Sequence, residues 1–303
     1  MIDFLLLGTG AMMPLPDRWL SSLLVRSGRD LILFDCGEGT QIPWRTHHWG
    51  FRSLSSICLT HWHADHVAGL PGLLHTVANA GRTEPLRIFG PVETERVVAG
   101  LRAIAPDLPF AVEVGELRGG DRFTLPGALG GRVLDGDHRV PCLLYRVDLG
   151  RAPRFLVERA RELAVPQSDW GRLQAGGTVM VGGCAITSAD VMGPERPGVS
   201  FGLITDSRPV PGAAGFFHGV DLLVSEGTYG DSADGWKAVR NKHMTFAEAA
   251  QIAADARAKA LWLTHFSPAM ARPEDFLAEA TDRFANTTVG TAGLTTTLRF
   301  ADD

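Results

Sequence analysis

The sequence predicts an α/β protein, and three observations carry that reading. Short apolar runs followed by helix-like segments recur in both halves of the 303 residues. Histidine, aspartate and glutamate repeatedly stand where those runs end, the edge at which α/β layers carry function. The stretch 110–148 alternates glycine-rich turns with β-like runs (AVEV, DRFTL, GRVL, CLLYRV) at hairpin spacing.

Taken in order, residues 2–7, 22–26 and 31–34 read as short strands, the first followed by the turn Gly8-Thr9-Gly10 and the third by Asp35-Cys36-Gly37-Glu38-Gly39. A helix is expected over 40–48. The apolar run Ser56-Ile57-Cys58-Leu59 then leads into a second helix from Val67, interrupted or bent around Gly69–Gly72 with Pro71. A strand at 87–89 and a helix at 94–104 complete the first half. Residues 151–199 differ in texture: a helical segment at 155–164, Pro166, a glycine-rich part (LQAGGTVMVGGC) with hairpin-like strands, and the closing GPERPG. They read as an insertion in a single domain spanning 1–303. Six arginines between 146 and 172 face Asp148, Glu158, Glu162 and Asp169, a mildly basic balance inside an acidic protein. The second half resumes with strands at 201–205, 221–224 and 261–263. A loop rich in glycine, aspartate and serine follows Glu226, helices are expected at 246–258 and 274–284, and a last strand at 295–300.

Composition is that of an ordinary soluble globular chain, 45% hydrophobic and 21% charged. A net charge of −5 argues against a uniformly basic nucleic-acid binder while leaving room for a local basic patch. Cys36, Cys58, Cys142 and Cys184 are far apart, which suits reduced thiols better than a disulfide framework. The start, MIDFLLLGTGAMMP, has no basic leader and reads as a strand. No run approaches the roughly 18 apolar residues of a membrane span, so a soluble cytoplasmic protein with no membrane partner is expected.

The chemistry centres on LTHWHADH, Leu59 to His66. Imidazoles and a carboxylate are ligands suited to zinc and similar ions. On an extended segment His61 and His63 project to one side, and Asp65 and His66 follow at a helix start. A polar surface loop is the bland alternative, and the H-x-H-x-D-H spacing after an apolar strand speaks against it. His265 repeats the Leu-Thr-His context, His138 follows GRVLDGD, and Asp206 ends the run FGLIT. With Asp65 these make seven ligands, enough for two ions if Asp206 bridges them. Two ions roughly 3.5–4 Å apart suit phosphodiester hydrolysis. His243 lies in a polar loop before a helix whose Thr245 and Glu248 have capping-box spacing. It is a candidate general acid, with Glu226 placed to orient it. His47, His48, His75 and His218 have no such setting.

Nearly the whole chain, in order, resembles the ribonuclease Z family of the metallo-β-lactamase superfamily. The likeness runs through FLLLGTGAMMPLPDRWLSSLLVR, LILFDCGEGTQ, LTHWHADHVAGLPGLL, LRIFGP, DHRVPCLLYRV, RARELAVP, MGPERPG, ITDSRP, LVSEGTYGD, KHMTFAEAA and LTHFSPAM. It implies an αβ/βα four-layer sandwich with a projecting arm within 151–177. It also implies a homodimer and two zinc ions per subunit, with manganese as the alternative ion. The implied activity is an endoribonuclease that removes the 3′ trailer of precursor tRNA and leaves a 3′-hydroxyl. A smaller phosphodiester or ester is the alternative substrate class. Metal roles fall on His61, His63, Asp65, His66, His138, Asp206 and His265, proton acceptance on Asp65, and phosphate contact or leaving-group protonation on His243. Glu226 and Thr228 match a Glu-Ala-Thr loop with Gly227 in place of alanine. Trp19 stands where asparagine is usual, Thr205 where glycine commonly precedes the bridging aspartate, and VPQSDWGRLQAGG lacks the arm's Gly-Pro while keeping Leu173 and Gly176.

Overall fold

The computed structural model describes residues 1–301. Six strands open the chain: β1 (Ile2–Gly8), β2 (Ser22–Ser27), β3 (Asp30–Phe34), β4 (Leu54–Cys58), β5 (Leu86–Pro91) and β6 (Val112–Leu117). Next come β7 (Arg122–Leu125), β8 (Leu129–Asp135) and β9 (Leu143–Arg151), then the hairpin β10 (Thr178–Val181) and β11 (Cys184–Thr187). The rest are β12 (Arg196–Ile204), β13 (Leu222–Glu226), β14 (Leu261–Thr264), β15 (Thr287–Val289) and β16 (Thr295–Leu298). They form two seven-stranded sheets, ordered β16-β1-β2-β3-β4-β5-β6 and β15-β14-β13-β12-β9-β8-β7.

The sheets meet through apolar side chains: Phe4 and Phe34 stand edge-on to Phe201 at 5.0 and 5.6 Å, and Phe34 to Tyr145 at 5.6 Å. Such aromatic pairs add to the area they bury. On the outer face of the first sheet, helices Gln41–Thr46, Leu70–Asn79 and Thr94–Arg102 bury Trp44, Leu73, Leu74, Val77 and Val98 against Leu33, Ile57 and Ile88. On the outer face of the second, helix Phe246–Asp255 packs Phe246, Ala249, Ala250 and Ala253 with Leu223, Leu261 and Leu263. The result is the expected four layers, helix, sheet, sheet, helix.

The chain divides into two compact units, Met1–Leu149 with Val199–Arg299, and Gly150–Gly198 with Phe300 and Ala301. The second holds helices Val157–Glu162 and Trp170–Gln174, the β10–β11 hairpin and helix Ser188–Val191. Its own core is Ala160, Val165, Leu173, Val179, Ile186 and Val191. Leu173 is therefore a core residue of this unit, and Gly176, at φ +87°, ends its helix in a conformation that favours glycine.

Of the interruption or bend expected around Gly69–Gly72, the structure has the interruption: helices Ala64–Val67 and Leu70–Asn79 are separate, with Pro71 in the first turn of the second, where its missing N–H costs nothing. Two other local readings need correction. The helix expected at 274–284 is a 3₁₀ turn, Pro273–Phe276, followed by Leu277–Thr281. The glycine- and aspartate-rich loop after Glu226 contains a helix, Gly235–Asn241. No helix among the described residues is long and apolar enough to cross a membrane.

Candidate metal centre

Parallel pairing brings the strand ends together. β3 and β4 run parallel, as do β12, β13 and β14, so Asp35, Thr60, Asp206, Glu226 and His265 emerge at C-terminal strand edges. Ligands in open α/β sheets gather at that edge. Asp35, Asp206 and His265 each turn away from their strand at positive φ (58°, 49° and 58°), strained for residues with a side chain. The LTHWHADH segment is held from behind by the glycine-rich turn: Cys36 N–H donates to His66 O at 2.8 Å, and Gly69 N–H to Cys36 O at 2.9 Å. A Cβ on Gly37 would lie 2.2 Å from Asp65 O, and one on Gly69 2.0 Å from Gly37 O, so this approach requires glycine at both positions.

All seven predicted ligands converge, in two groups that share Asp206. In the first, His63 Nδ1 is 3.0 Å from His61 Nε2 and 3.2 Å from His138 Nε2. Asp206 Oδ2 lies 3.6 Å from His61 Nε2 and 3.8 Å from His138 Nε2. In the second, His66 Nε2 is 3.2 Å from His265 Nε2, and both are 3.6 Å from Asp65 Oδ2. Asp206 Oδ1 lies 3.3 Å from His66 Nε2 and 2.9 Å from His265 Nε2. One carboxylate thus turns an oxygen to each group.

These distances fit a cation in each group. A tetrahedron of zinc bonds of about 2.0–2.1 Å has ligand–ligand edges of about 3.3–3.4 Å, and the observed separations bracket that value. Asp206 Oδ1 is buried without a well-formed hydrogen bond, as an oxygen aimed at a cation would be.

The electrostatics agree. Burial pushes Asp206 up, yet His265, His66 and His61 hold it well below the carboxylate range. Burial lowers His265, but Asp206 and Asp65 outweigh it and raise it to about 10. His66 is likewise lowered by burial and raised overall by Asp206 and Asp35. Burial wins at His61, His63 and His138, which are all lowered.

The outward ring nitrogens are anchored, which fixes ring orientation. His66 Nδ1 meets Asp35 Oδ2 at 2.8 Å, His61 Nδ1 meets Thr60 Oγ1 at 3.1 Å, His265 Nδ1 meets Thr228 Oγ1 at 3.1 Å, and His138 Nδ1 meets Lys242 O at 3.1 Å. Thr60 Oγ1 in turn donates to Asp35 Oδ2 at 2.8 Å, and Thr228 Oγ1 to Glu226 Oε2 at 2.6 Å. Asp35 escaped the sequence reading because it sits in a glycine-rich turn away from any histidine. An acidic residue directly after a buried strand was the available signal.

Glu226 also reaches His243, with Oε1 3.3 Å from Nδ1, while it accepts from Ser207 N and Met244 N at 2.7 and 3.0 Å. Burial lowers His243, but Glu226 outweighs it and the net shift is upward. His243 lines a cleft of about 240 Å³ together with Asp65, His63, His138, His265 and Tyr229. The helix beginning after Thr245 carries the expected capping box with Glu248. His243 is thereby fixed at the mouth of the ligand cluster, where it can meet a substrate.

Residues 20–143 match the family model described as the metallo-beta-lactamase superfamily. A ribonuclease Z from Lachnoclostridium phytofermentans is 43% identical over 300 residues, 99% of each chain. One from Agathobacter rectalis is 44% identical over 303 residues, all of both chains. Among solved structures, the short form of human tRNase Z superposes with a TM-score of 0.72 at 24% identity, over 98% of this chain and 100% of that one. The metallo-beta-lactamase fold protein YhfI of Bacillus subtilis superposes at 0.70 with 19% identity, over 97% and 98% of the two chains. With its strand-edge cluster of histidines and aspartates and its end-to-end likeness to these relatives, the chain belongs to the ribonuclease Z family of the metallo-β-lactamase superfamily.

Proposed function

We propose that this protein is a zinc-dependent endoribonuclease that removes the 3′ trailer of precursor tRNA and leaves a 3′-hydroxyl on the tRNA. The observation that carries the reading is the pair of ligand groups joined by Asp206 beside a Glu226-anchored His243, in a chain 43% identical end to end to a ribonuclease Z. His61, His63, His138 and Asp206 hold one zinc ion; Asp65, His66, His265 and Asp206 hold the second. Bound there, the ions supply the Lewis acidity that polarises a phosphodiester and stabilises its charge during cleavage.

The side chains do the rest. Asp65, part-buried and accepting from Met12 N–H at 2.8 Å, takes the proton of the attacking water. His243 has Nδ1 engaged by Glu226, which leaves Nε2 to meet the substrate. Its upward shift favours the protonated form, the form that a general acid for the leaving oxygen requires. The homodimer and a cytoplasmic location belong to the same reading, and a solution mass of two chains tests the first.

A labelled precursor tRNA incubated with zinc-loaded protein is the direct test. One cut, with a mature 3′-hydroxyl end, is expected. His243→Ala should lower kcat by about 100-fold or more with little change in KM. An intact tRNA alongside turnover of a small phosphodiester would sink the proposal in favour of a smaller substrate.

A further inference from the structure

Thr205 is the residue the reaction above does not use, although it directly precedes the shared Asp206. It is 2% exposed, and its hydroxyl lies 2.9 Å from Thr60 Oγ1 and 3.5 Å from Asp35 Oδ2. Thr60 and Asp35 are as deeply buried, at 0% and 1%.

The proton directions in this cluster follow from its chemistry. The Asp35 carboxylate can only accept, so Thr60, with a single proton, donates to it. Thr60 Oγ1 then has two lone pairs left, and two neighbours to fill them: Thr205 Oγ1–H and His61 Nδ1–H. Placing the His61 proton on Nδ1 leaves Nε2 unprotonated and turned toward His63 and Asp206. Asp35 likewise takes the Nδ1 proton of His66. The three side chains therefore link one histidine of each ligand group, on a path separate from Asp206.

We propose that Thr205 is a positioning residue that acts through Thr60 on His61. By filling one lone pair of Thr60 it leaves a single acceptor direction, the one that meets His61 Nδ1–H, and so holds His61 in its ligating tautomer. A cavity of about 10 Å³ borders Thr205, Asp35, Ser21, Ser22 and Thr264, close to the smallest space that takes a water. A glycine at 205 would enlarge it, and a water could then donate to Thr60 in place of the hydroxyl. Valine keeps the volume, excludes that water and removes the donor.

The inference rests on the metal-binding part of the proposed function and not on the identity of the RNA. Its test is zinc affinity of the full-length apo-protein, measured by competition with a chromophoric chelator. Cobalt absorption spectra of the substituted protein report the ligand field. Thr205→Val should weaken one of the two ions about 10-fold and shift its cobalt bands, with the other ion unchanged. Thr205→Ser should restore both, and Thr205→Gly should fall between valine and wild type. Apo-protein melting temperatures separate misfolding from lost affinity. Wild-type zinc affinities in a folded Thr205→Val protein would overturn the proposal. So would a Thr205→Ser protein as weak as Thr205→Val, since packing of the methyl group would then be the cause.

Discussion

The two ligand groups share Asp206 but are built to different strengths. Both contain a carboxylate–threonine–histidine relay: Asp35–Thr60–His61 in the first and Glu226–Thr228–His265 in the second. The second adds His66, buried and directly bound to Asp35, and the Asp65 carboxylate. The first adds His138, anchored only by the Lys242 carbonyl, and the partly exposed His63. His66 and His265 are raised, first by Asp206 and then by Asp35 and Asp65 respectively, whereas burial lowers His61, His63 and His138. Carboxylate-backed imidazoles are the more basic ligands. The second group should therefore hold its ion more tightly, and the more open first group should exchange its own more readily.

Asp206→Ala is the most severe way to break this comparison, because it removes the ligand common to both groups. Zinc affinity should fall at both, and kcat/KM on precursor tRNA should drop by about 1,000-fold or more, as steady-state cleavage would show. Asp35→Asn comes next. It disturbs His66 directly and His61 through Thr60, and both affinities should weaken, by about 10- to 100-fold at the His66 group. Zinc competition on the apo-protein reads this. Thr228→Val sharpens the contrast, since it cuts only the His265 relay. About a 10-fold loss at the second group, with the first untouched, is the expected result.

The sequence exposed the side chains that cluster and hid what holds them. His61, His63, Asp65, His66 and His265 were legible because they crowd strand ends in a spacing that extended chain and helix start can converge, and His138 and Asp206 because they follow apolar runs. The relays were not legible as such. Thr60 lies inside the motif but looks like strand-end punctuation, and Asp35 is 25 residues away in a turn that reads as mere glycine-rich connection. Only the packing of Gly37 against Asp65 and of Gly69 against Gly37 brings that turn behind the ligands. The helix Gly235–Asn241 was hidden for a different reason: glycine, aspartate and serine before it signal a loop, and the helix buries only Ala238, so no apolar stripe announces it. In the unit Gly150–Gly198 the sequence offered texture without chemistry. Its six-residue core shows why Leu173 is apolar, which composition could not.

The most direct test of the two unequal groups is native mass spectrometry of zinc-saturated protein as chelator is increased. The account predicts two zinc ions per chain that leave in separate steps, with the easier step absent in His138→Ala. Saturation at one ion, or loss of both in a single step, would contradict it.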